Sequence, residues 1–330
     1  MDSDKRTIGA VPASWSGLDW QQLTACWRVK MRYGGNAGVA RTAALLELCR
    51  LVPAGRGCHS GPTGEVLYTL RDHEGNLWQV TPRELSQAAM KAMRWFDYPY
   101  GDPGEPEQKD EKGKVIKEGR DPVRGYVGPM HDALQLPLET LKVHGKVFAL
   151  PQVACNNLTW QQYRSLQAIV PQLFSGDASD GEASGLQARF LAHCLVPRSF
   201  ALLDTAGGSM RVRPHWEYRY NASQADGLVT WWQRHGDETV FHVCFQAYQT
   251  ALVYYATVHP TLFSDSGRKD VMHDALQGEV GTINSVMKYQ GYSDPQQVYD
   301  TNLPIILDTL DTMAKEAKEI EKMNAKMRRK

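Results

Sequence analysis

The sequence carries no net charge, because its 37 Lys and Arg residues are balanced by 37 Asp and Glu residues. Proteins that bind nucleic acid or anionic membranes over a wide surface usually have an overall positive field, which this chain lacks. Any basic surface must therefore be local. We expect no membrane partner, and the charge balance disfavours a nucleic-acid partner.

Long apolar runs are lacking as well. The opening residues, MDSDKRTIGAVPASW, hold no apolar region of a signal peptide. No stretch approaches the roughly 20 apolar residues that span a bilayer. The six cysteines stand in apolar segments and form no C-x-x-C pair, which is typical of core thiols in a reducing compartment. The sequence therefore predicts a cytoplasmic protein.

Recognisable catalytic and metal-binding patterns are also missing. No G-x-S-x-G, H-E-x-x-H or kinase-like set occurs. Histidines and cysteines are close in Cys58-His59, His193-Cys194 and His242-x-Cys244. Adjacent helical residues point apart, and none of these pairs belongs to a four-ligand spacing. We expect no metal, no cofactor and no enzymatic activity, while an enzyme without a recognisable motif remains an alternative.

The chain does contain an internal duplication, the first feature to look for in a sequence of this length. Three pairs of segments match in the same order: Leu18–Leu23 with Leu158–Tyr163, Cys49–Pro53 with Cys194–Pro197, and Met130–Gln135 with Met272–Gln277. The offset is 140 residues in the first pair, 144 at the prolines of the second pair and 142 in the third pair. Three matches at a nearly constant offset indicate two divergent copies of one unit.

The first matching pair predicts the start of a helix in each copy. Asp19 and Thr159 are favourable N-cap residues, and Gln22 and Gln162 follow three positions later, as a capping box requires. A second helical stretch follows in each copy, at 39–49 and 186–194. The Leu-Val-Pro sequence ends each of these stretches, because proline cannot continue a helix.

A hairpin and a third helix complete the predicted unit. Strands at 66–70 and 77–80 flank a glycine-containing turn, and 210–213 with 216–220 form a degraded counterpart. In the first copy the third helix opens at Thr81, before an N1 proline and an N3 glutamate. In the second copy the third helix ends before Pro260. The apolar residues of its one face are three to four positions apart: Phe241, Cys244, Phe245, Tyr248, Leu252 and Tyr255.

These patterns predict a mainly α protein with small β-hairpins, an α+β chain of two helix-helix-hairpin-helix copies. The copies occupy 1–148 and 152–290, and a helical extension occupies 291–330. Residues 101–124 are rich in Gly, Pro and charged residues, so we expect a mobile surface loop there. A shorter acidic, Gly/Ser-rich segment at 175–185 predicts another loop.

The extension holds a long helix that the first copy lacks. From Pro304 onward its apolar residues alternate four and three positions apart: Ile306, Leu310, Met313, Ala317 and Ile320, followed by Asn324 and Met327. This is the heptad seam of a helix that packs on another helix. We expect the seam to bind a partner protein or to self-associate weakly, although packing on its own repeat is an equally open alternative.

The segment Met287–Tyr299 predicts a helix, a stop at Gly291, an N-cap at Ser293 and a second helix. A Gly-aromatic-Ser turn before a helix that ends in a Lys/Glu run resembles the helical end of tail-assembly proteins of tailed phages. The opening VPASW at 11–15, followed by LDWQQ at 18–22, is similar to the starts of some prophage structural proteins of Bacteroidetes. The resemblance covers about a fifth of the chain.

That resemblance implies a non-catalytic, chaperone-like assembly factor in the cytoplasm of a bacterial host, binding phage tail components. The alternative is a DNA-binding protein with a helix-turn-helix near 280–310. Its second helix would carry Gln296, Gln297 and Asp300 but no basic residue before Lys315. Because phosphate contacts supply most of the non-specific affinity for DNA, the sequence favours the assembly factor.

Overall fold

The computed structural model describes residues 11–12, 14–97, 108–109, 115–117, 136–174, 180–202, 214–263 and 279–327. Within them the fold is mainly α-helical with small antiparallel sheets, so the predicted fold class is confirmed. Backbone contacts divide the chain into two compact units, 1–133 and 134–330. No helix of the described part is long and apolar enough to cross a membrane.

The first unit contains three helices and five strands among the described residues. These are α1 (Trp20–Tyr33), α2 (Ala37–Leu48), α3 (Pro82–Ala92), β1 (Val52–Ser60), β2 (Val66–Arg71), β3 (Leu77–Val80), β4 (Gln108–Lys109) and β5 (Val115–Lys117). The sheet order is β1-β2-β3 with antiparallel pairing, and β4 pairs with β5. The predicted hairpin is therefore confirmed, and a strand that the sequence did not predict, β1, lies beside it.

The core of the first unit forms around Trp15, which is 1% exposed. Its ring stacks on Phe96 with 5.6 Å between centroids, and its indole N–H donates to the carbonyl of Trp95 at 3.1 Å. Arg41 of α2 forms an ion pair with Asp97 in the same region. These contacts attach the helices of the unit to the short 3-10 turn at 94–97.

The second unit contains the remaining described elements. These are β6 (Thr140–Val143), β7 (Lys146–Ala149), α4 (Trp160–Leu173), α5 (Asp180–Cys194), β8 (Val196–Pro197), β9 (Ser199–Leu202), β10 (Pro214–Glu217), α6 (Ala222–His235), α7 (Glu238–Val258), α8 (Pro260–Phe263), α9 (Glu279–Gln290), α10 (Pro295–Asp300) and α11 (Leu303–Met327). Its core is aromatic: Phe190 of α5 lies 5.4 to 5.8 Å, between ring centroids, from Phe241, Phe245 and Tyr248 of α7.

The predicted capping boxes are present in both units. The side chain of Asp19 accepts from the N–H of Gln22, and the Gln22 amide oxygen accepts from the N–H of Asp19. Thr159 and Gln162 make the same reciprocal bonds. Both helices contain 14 residues. The duplicated sequence therefore encodes the same helix start twice, through local hydrogen bonds.

The unit boundary differs from the predicted one at 148. The hairpin of β6 and β7 turns at His144 and Gly145, both with positive φ, as a tight two-residue turn requires. Strand β7 then pairs with β8, which lies about 50 residues later and belongs to the second unit. Because this pairing joins distant segments, the repeat pattern gave no indication of it.

Three further predictions need correction. Residues 180–185 form the start of α5 instead of a loop, because Glu182 and Ala183 favour a helix. Strand β10 pairs with β9, whereas its predicted partner at 210–213 lies outside the described residues. The N-cap of α10 is Asp294, one residue after the predicted Ser293, and Pro295 occupies N1. The sequence patterns also gave no prediction of helix α6.

Candidate functional site

The predicted partner-binding residues all lie on α11, but the structure divides them. Ile306 is buried, Leu310 and Met313 are half-buried, and Ala317 and Ile320 are exposed. Every residue from Lys315 to Met327 is exposed. We call 303–314 the docked segment and 315–327 the distal segment of α11.

Backbone hydrogen bonds attach the docked segment to the start of α4. Asn302 forms a β-bridge with Thr159. The N–H of Trp160 donates to the carbonyl of Thr301, and the N–H of Leu303 donates to the carbonyl of Leu158, both at 2.8 Å. These bonds fix the point at which α11 begins on the second unit.

Apolar packing holds the docked segment in place. Leu303 is 1% exposed, Ile306 is 0% exposed and Leu307 is 4% exposed. Full burial of a side chain of this size contributes about 1.5 to 3 kcal/mol. The expectation that the whole helix is an attachment element is therefore wrong for Ile306, which belongs to the core of its own unit. For Ala317 and Ile320 it stays a prediction.

The distal segment presents an apolar stripe with basic residues beside it. Ile320, Met323 and Met327 are 53%, 57% and 68% exposed, and their spacing of three and four residues places them on one side of the helix. Residues 322–330 contain five basic side chains and no acidic one. The distal segment is thus an amphipathic helix end, and the sequence from 322 onward carries a local positive charge.

A polar cleft of about 580 Å³ lies elsewhere in the second unit. It is lined by residues of α4, β9, β10, α6 and α10: Gln161, Ser199, Glu217, Arg219, Tyr220, Asn221, Ala222, Ser223, Gln224, Gln296 and Asp300. Arg219 forms an ion pair with Asp300 at 3.3 Å, and Gln296 donates to the same carboxylate at 2.8 Å. The charge of the arginine is therefore already balanced within the cleft.

Tyr220 connects this cleft to a chain of buried hydrogen bonds. Its hydroxyl lies 2.6 Å from Nδ1 of His193 and 3.1 Å from Oγ of Ser165. Nε2 of His193 lies 3.2 Å from Oδ1 of Asp226. A neutral His193 satisfies every contact if Tyr220 donates to Nδ1 and Nε2–H donates to Asp226.

The pKa shifts within this hydrogen-bond network agree with a neutral imidazole of His193. Burial lowers the pKa of His193 below its ordinary value, although Asp226 opposes the shift. Burial also raises the pKa of Tyr220. A protonated tyrosine that is 8% exposed is a poor nucleophile. The arrangement therefore joins α4, α5 and α6 through side-chain hydrogen bonds.

The six cysteines differ in their exposure. Cys26, Cys155, Cys194 and Cys244 are buried, Cys49 is half-buried and Cys58 is exposed. Within the described ranges, no group of three His, Cys, Asp or Glu side chains is arranged to hold a metal ion. The duplicated His131-Asp132 and His273-Asp274 pairs lie outside the described residues.

The geometry near 280–310 does not favour a helix-turn-helix. Helix α10, in the position of the recognition helix, has only six residues and buries Val298. The chain then breaks at 301–302 to form the bridge with Thr159. A recognition helix needs several successive residues facing the major groove, and α10 offers few.

Comparisons of the chain with protein-family models, with curated proteins and with solved structures found no match. The case for a function therefore depends on the geometry of this chain.

Proposed function

We propose that the protein is a non-enzymatic assembly factor that binds another protein through the distal segment of α11. The main observation in support is that Ile320, Met323 and Met327 are exposed on one side of α11. The docked segment of the same helix is packed on the second unit. An amphipathic helix that lays its apolar side chains into a groove is a common mode of protein recognition, with anchors three, four and seven residues apart.

The charge of the distal segment defines the partner's chemistry. Lys322 and Lys326 lie in the last turns of the distal segment, and Arg328, Arg329 and Lys330 follow in the sequence. Opposite charges across an interface raise the association rate and fix the register. The fitting partner is therefore a protein with an apolar groove and an acidic rim.

Two other occupants fit the distal segment less well. A second copy of the chain, paired in parallel, would bring two basic ends together, and such like-charge contacts are costly. A membrane-surface helix usually presents Trp, Phe or Leu over a wide apolar face, whereas this stripe has one isoleucine, two methionines and a polar Asn324. A protein groove needs only a few such anchors.

The resemblance to tail-assembly proteins supplies the biological setting of the proposal. On that basis the partner is a phage tail component, and binding takes place in the cytoplasm of the bacterial host.

The test uses two matched variants of the full chain. Met323→Asp places a charge within the apolar stripe, and Ala325→Asp places the same charge on the opposite face of the same exposed helix. A protein captured from the native host is identified, purified and titrated against the wild type and both variants. We expect Met323→Asp to raise the Kd at least about tenfold, as loss of an interface anchor does, and Ala325→Asp to leave it within about twofold.

The same variants are then titrated against anionic phospholipid vesicles and duplex DNA, and sedimentation measures self-association. Equal effects of the two substitutions on protein binding would contradict the proposal. Binding to vesicles or DNA that depends on Met323, without any protein partner that does, would contradict it too.

A further inference from the structure

The polar cleft of the second unit is large enough to hold a small molecule. Its volume of about 580 Å³ lies within the range of about 300 to 1,000 Å³ that is usual for small-molecule sites. Residues from α4, β9, β10, α6 and α10 line it, and of the described residues in this lining none belongs to α11. The cleft is therefore a separate feature from the distal segment.

The lining of the cleft is polar but holds no unbalanced positive charge. Ala222 is the one apolar side chain among the described residues that line it. Arg219 is paired with Asp300, and the other charged side chain, Glu217, is acidic and has a contact of its own. An apolar ligand would displace water from these groups without replacing its hydrogen bonds, which is costly. An anion would meet two carboxylates, so the fitting ligand is polar and carries no negative charge.

Side-chain amides are the main groups that the cleft offers to a ligand. The amide oxygen of Asn221 accepts from the N–H of Gln224 at 2.9 Å, so its NH2 group stays available. The NH2 group of Gln296 donates to Asp300 at 2.8 Å, so its oxygen stays available. Among the described residues, no hydrogen bond reaches the side-chain amide of Gln161, which is half-buried, or that of Gln224, which is exposed.

Hydroxyl groups match these amides better than other ligand groups do. A hydroxyl both donates and accepts, as water does, so a polyhydroxylated ligand can take the place of water in a polar cleft without leaving the amides unpaired. Each planar amide has an acceptor beside a donor, which suits two neighbouring hydroxyls. A cation would find no aromatic face, because Tyr220, the aromatic residue of the lining, is 8% exposed.

We propose that the cleft binds a neutral sugar through the side-chain amides of Gln161, Gln224 and Gln296. The hydroxyls of the sugar replace water on these amides, and the arrangement of the hydroxyls on the ring determines which sugar fits. Because no aromatic ring is available for stacking, hydrogen bonds supply the affinity. This site goes beyond the proposed function and does not depend on the distal segment.

Saturation-transfer NMR of the full chain with neutral sugars tests the proposal. The panel contains glucose, galactose, mannose, N-acetylglucosamine, sucrose and trehalose, and every sugar that binds is titrated. We expect at least one to bind with a Kd on the order of 1 mM, because hydrogen bonds exchanged with water contribute little net free energy each. The 6-phosphate of that sugar should bind at least about fivefold more weakly, since it brings negative charge to the carboxylates of the cleft.

Three variants show whether the sugar occupies the cleft. Gln161→Leu removes one amide and should raise the Kd at least about fivefold, since ligand hydroxyls lose their partner. Ser223→Trp places a bulky side chain in the cleft from an exposed position, so it should abolish binding without threatening the fold. Gln21→Leu changes the exposed residue at the equivalent position of α1 and should leave the Kd within about twofold. Thermal unfolding checks that each variant is folded.

Three results would overturn the sugar site. The first is that no sugar of the panel binds at about twenty times the expected Kd. The second is that Gln161→Leu and Gln21→Leu weaken binding equally, or that Ser223→Trp leaves it intact. The third is tighter binding of the phosphate ester, which would make the cleft an anion site. None of these results affects the Met323 test of partner binding, so failures of the two proposals are distinguishable.

Discussion

The hydroxyl of Tyr289 on α9 donates a hydrogen bond to Oε1 of Glu316 on α11, at 3.1 Å. This contact lies where α11 leaves the second unit, because Asp311 is buried and the residues after Glu316 are all exposed. One helix therefore has two separate roles. Its first three turns stabilise the unit, and its last three are available to a partner.

Two isoleucines on this helix provide a matched comparison of the two roles. Ile306→Ala should lower the free energy of unfolding by about 2 to 5 kcal/mol, because it leaves a cavity in a packed core. Ile320→Ala should change it by less than about 0.5 kcal/mol, since the side chain is 53% exposed. Urea unfolding of both variants measures the difference. Similar losses would contradict the division of the helix.

Helix starts could be predicted from the sequence because their signals are local. Asp19 and Thr159 need only a glutamine three positions later, so a short window of sequence contains the whole motif. The docking of α11 could not be predicted in this way. Its heptad seam fits a neighbouring helix of the same unit and a partner equally well. The docked segment is held by long-range contacts, among them the bridge between Thr159 and Asn302, that no spacing in the sequence indicates.

The two capping boxes predict similar losses when their N-caps are removed. Asp19→Ala and Thr159→Ala each leave the N–H of an N3 glutamine without its acceptor, which costs about 0.5 to 2 kcal/mol. Asp19→Asn, which keeps an acceptor oxygen, should recover most of the loss in the first unit. Thermal unfolding measures these changes. A cap whose removal costs nothing would mean that tertiary packing alone fixes that helix start.

The polar cleft could not be predicted from the sequence, for a physical reason. Its residues come from five elements separated by up to about 140 positions, and the sequence gives no spacing that joins Gln161 to Asp300. The only sequence pattern that includes His193 is its pair with Cys194. Its true partners, Tyr220 and Asp226, lie 27 and 33 residues away.

Thiol reactivity should follow burial. Burial raises the pKa of Cys26 to about 12. A hydrogen bond with the thiol of Cys244, together with burial, raises the pKa of Cys194 well above its ordinary value. Because the thiolate is the reactive form, these thiols should react with a disulfide reagent only after unfolding. One thiol, that of exposed Cys58, should react rapidly in the native protein, and Cys58→Ser should remove that phase. Rapid labelling of Cys194 in the native chain would contradict the described packing.

The second unit should also lose stability in acid through His193. Because burial lowers the pKa of His193 in the folded chain, the unfolded chain binds a proton more readily. The stabilising contribution is therefore complete above the unfolded pKa of about 6.5 and is lost as the pH falls below it. His193→Gln should reduce the loss between pH 7.5 and 5.0, because glutamine can still accept from Tyr220 and donate to Asp226 without being protonated.

Tyr220→Phe distinguishes the contribution of the tyrosine hydroxyl, which bonds His193, from the contribution of ring packing. The substitution keeps the ring but leaves Nδ1 of His193 without a donor, at a cost of about 1 to 3 kcal/mol at neutral pH. In acid the cost should not shrink, because a protonated Nδ1–H needs the tyrosine oxygen as its acceptor and phenylalanine offers none. Urea titrations at pH 7.5 and 5.0 measure both effects, with His73→Gln as the control for an exposed histidine. If Tyr220→Phe costs less than about 0.5 kcal/mol at pH 7.5, well below the cost of an unsatisfied buried acceptor, His193 does not accept the tyrosine proton in the native fold.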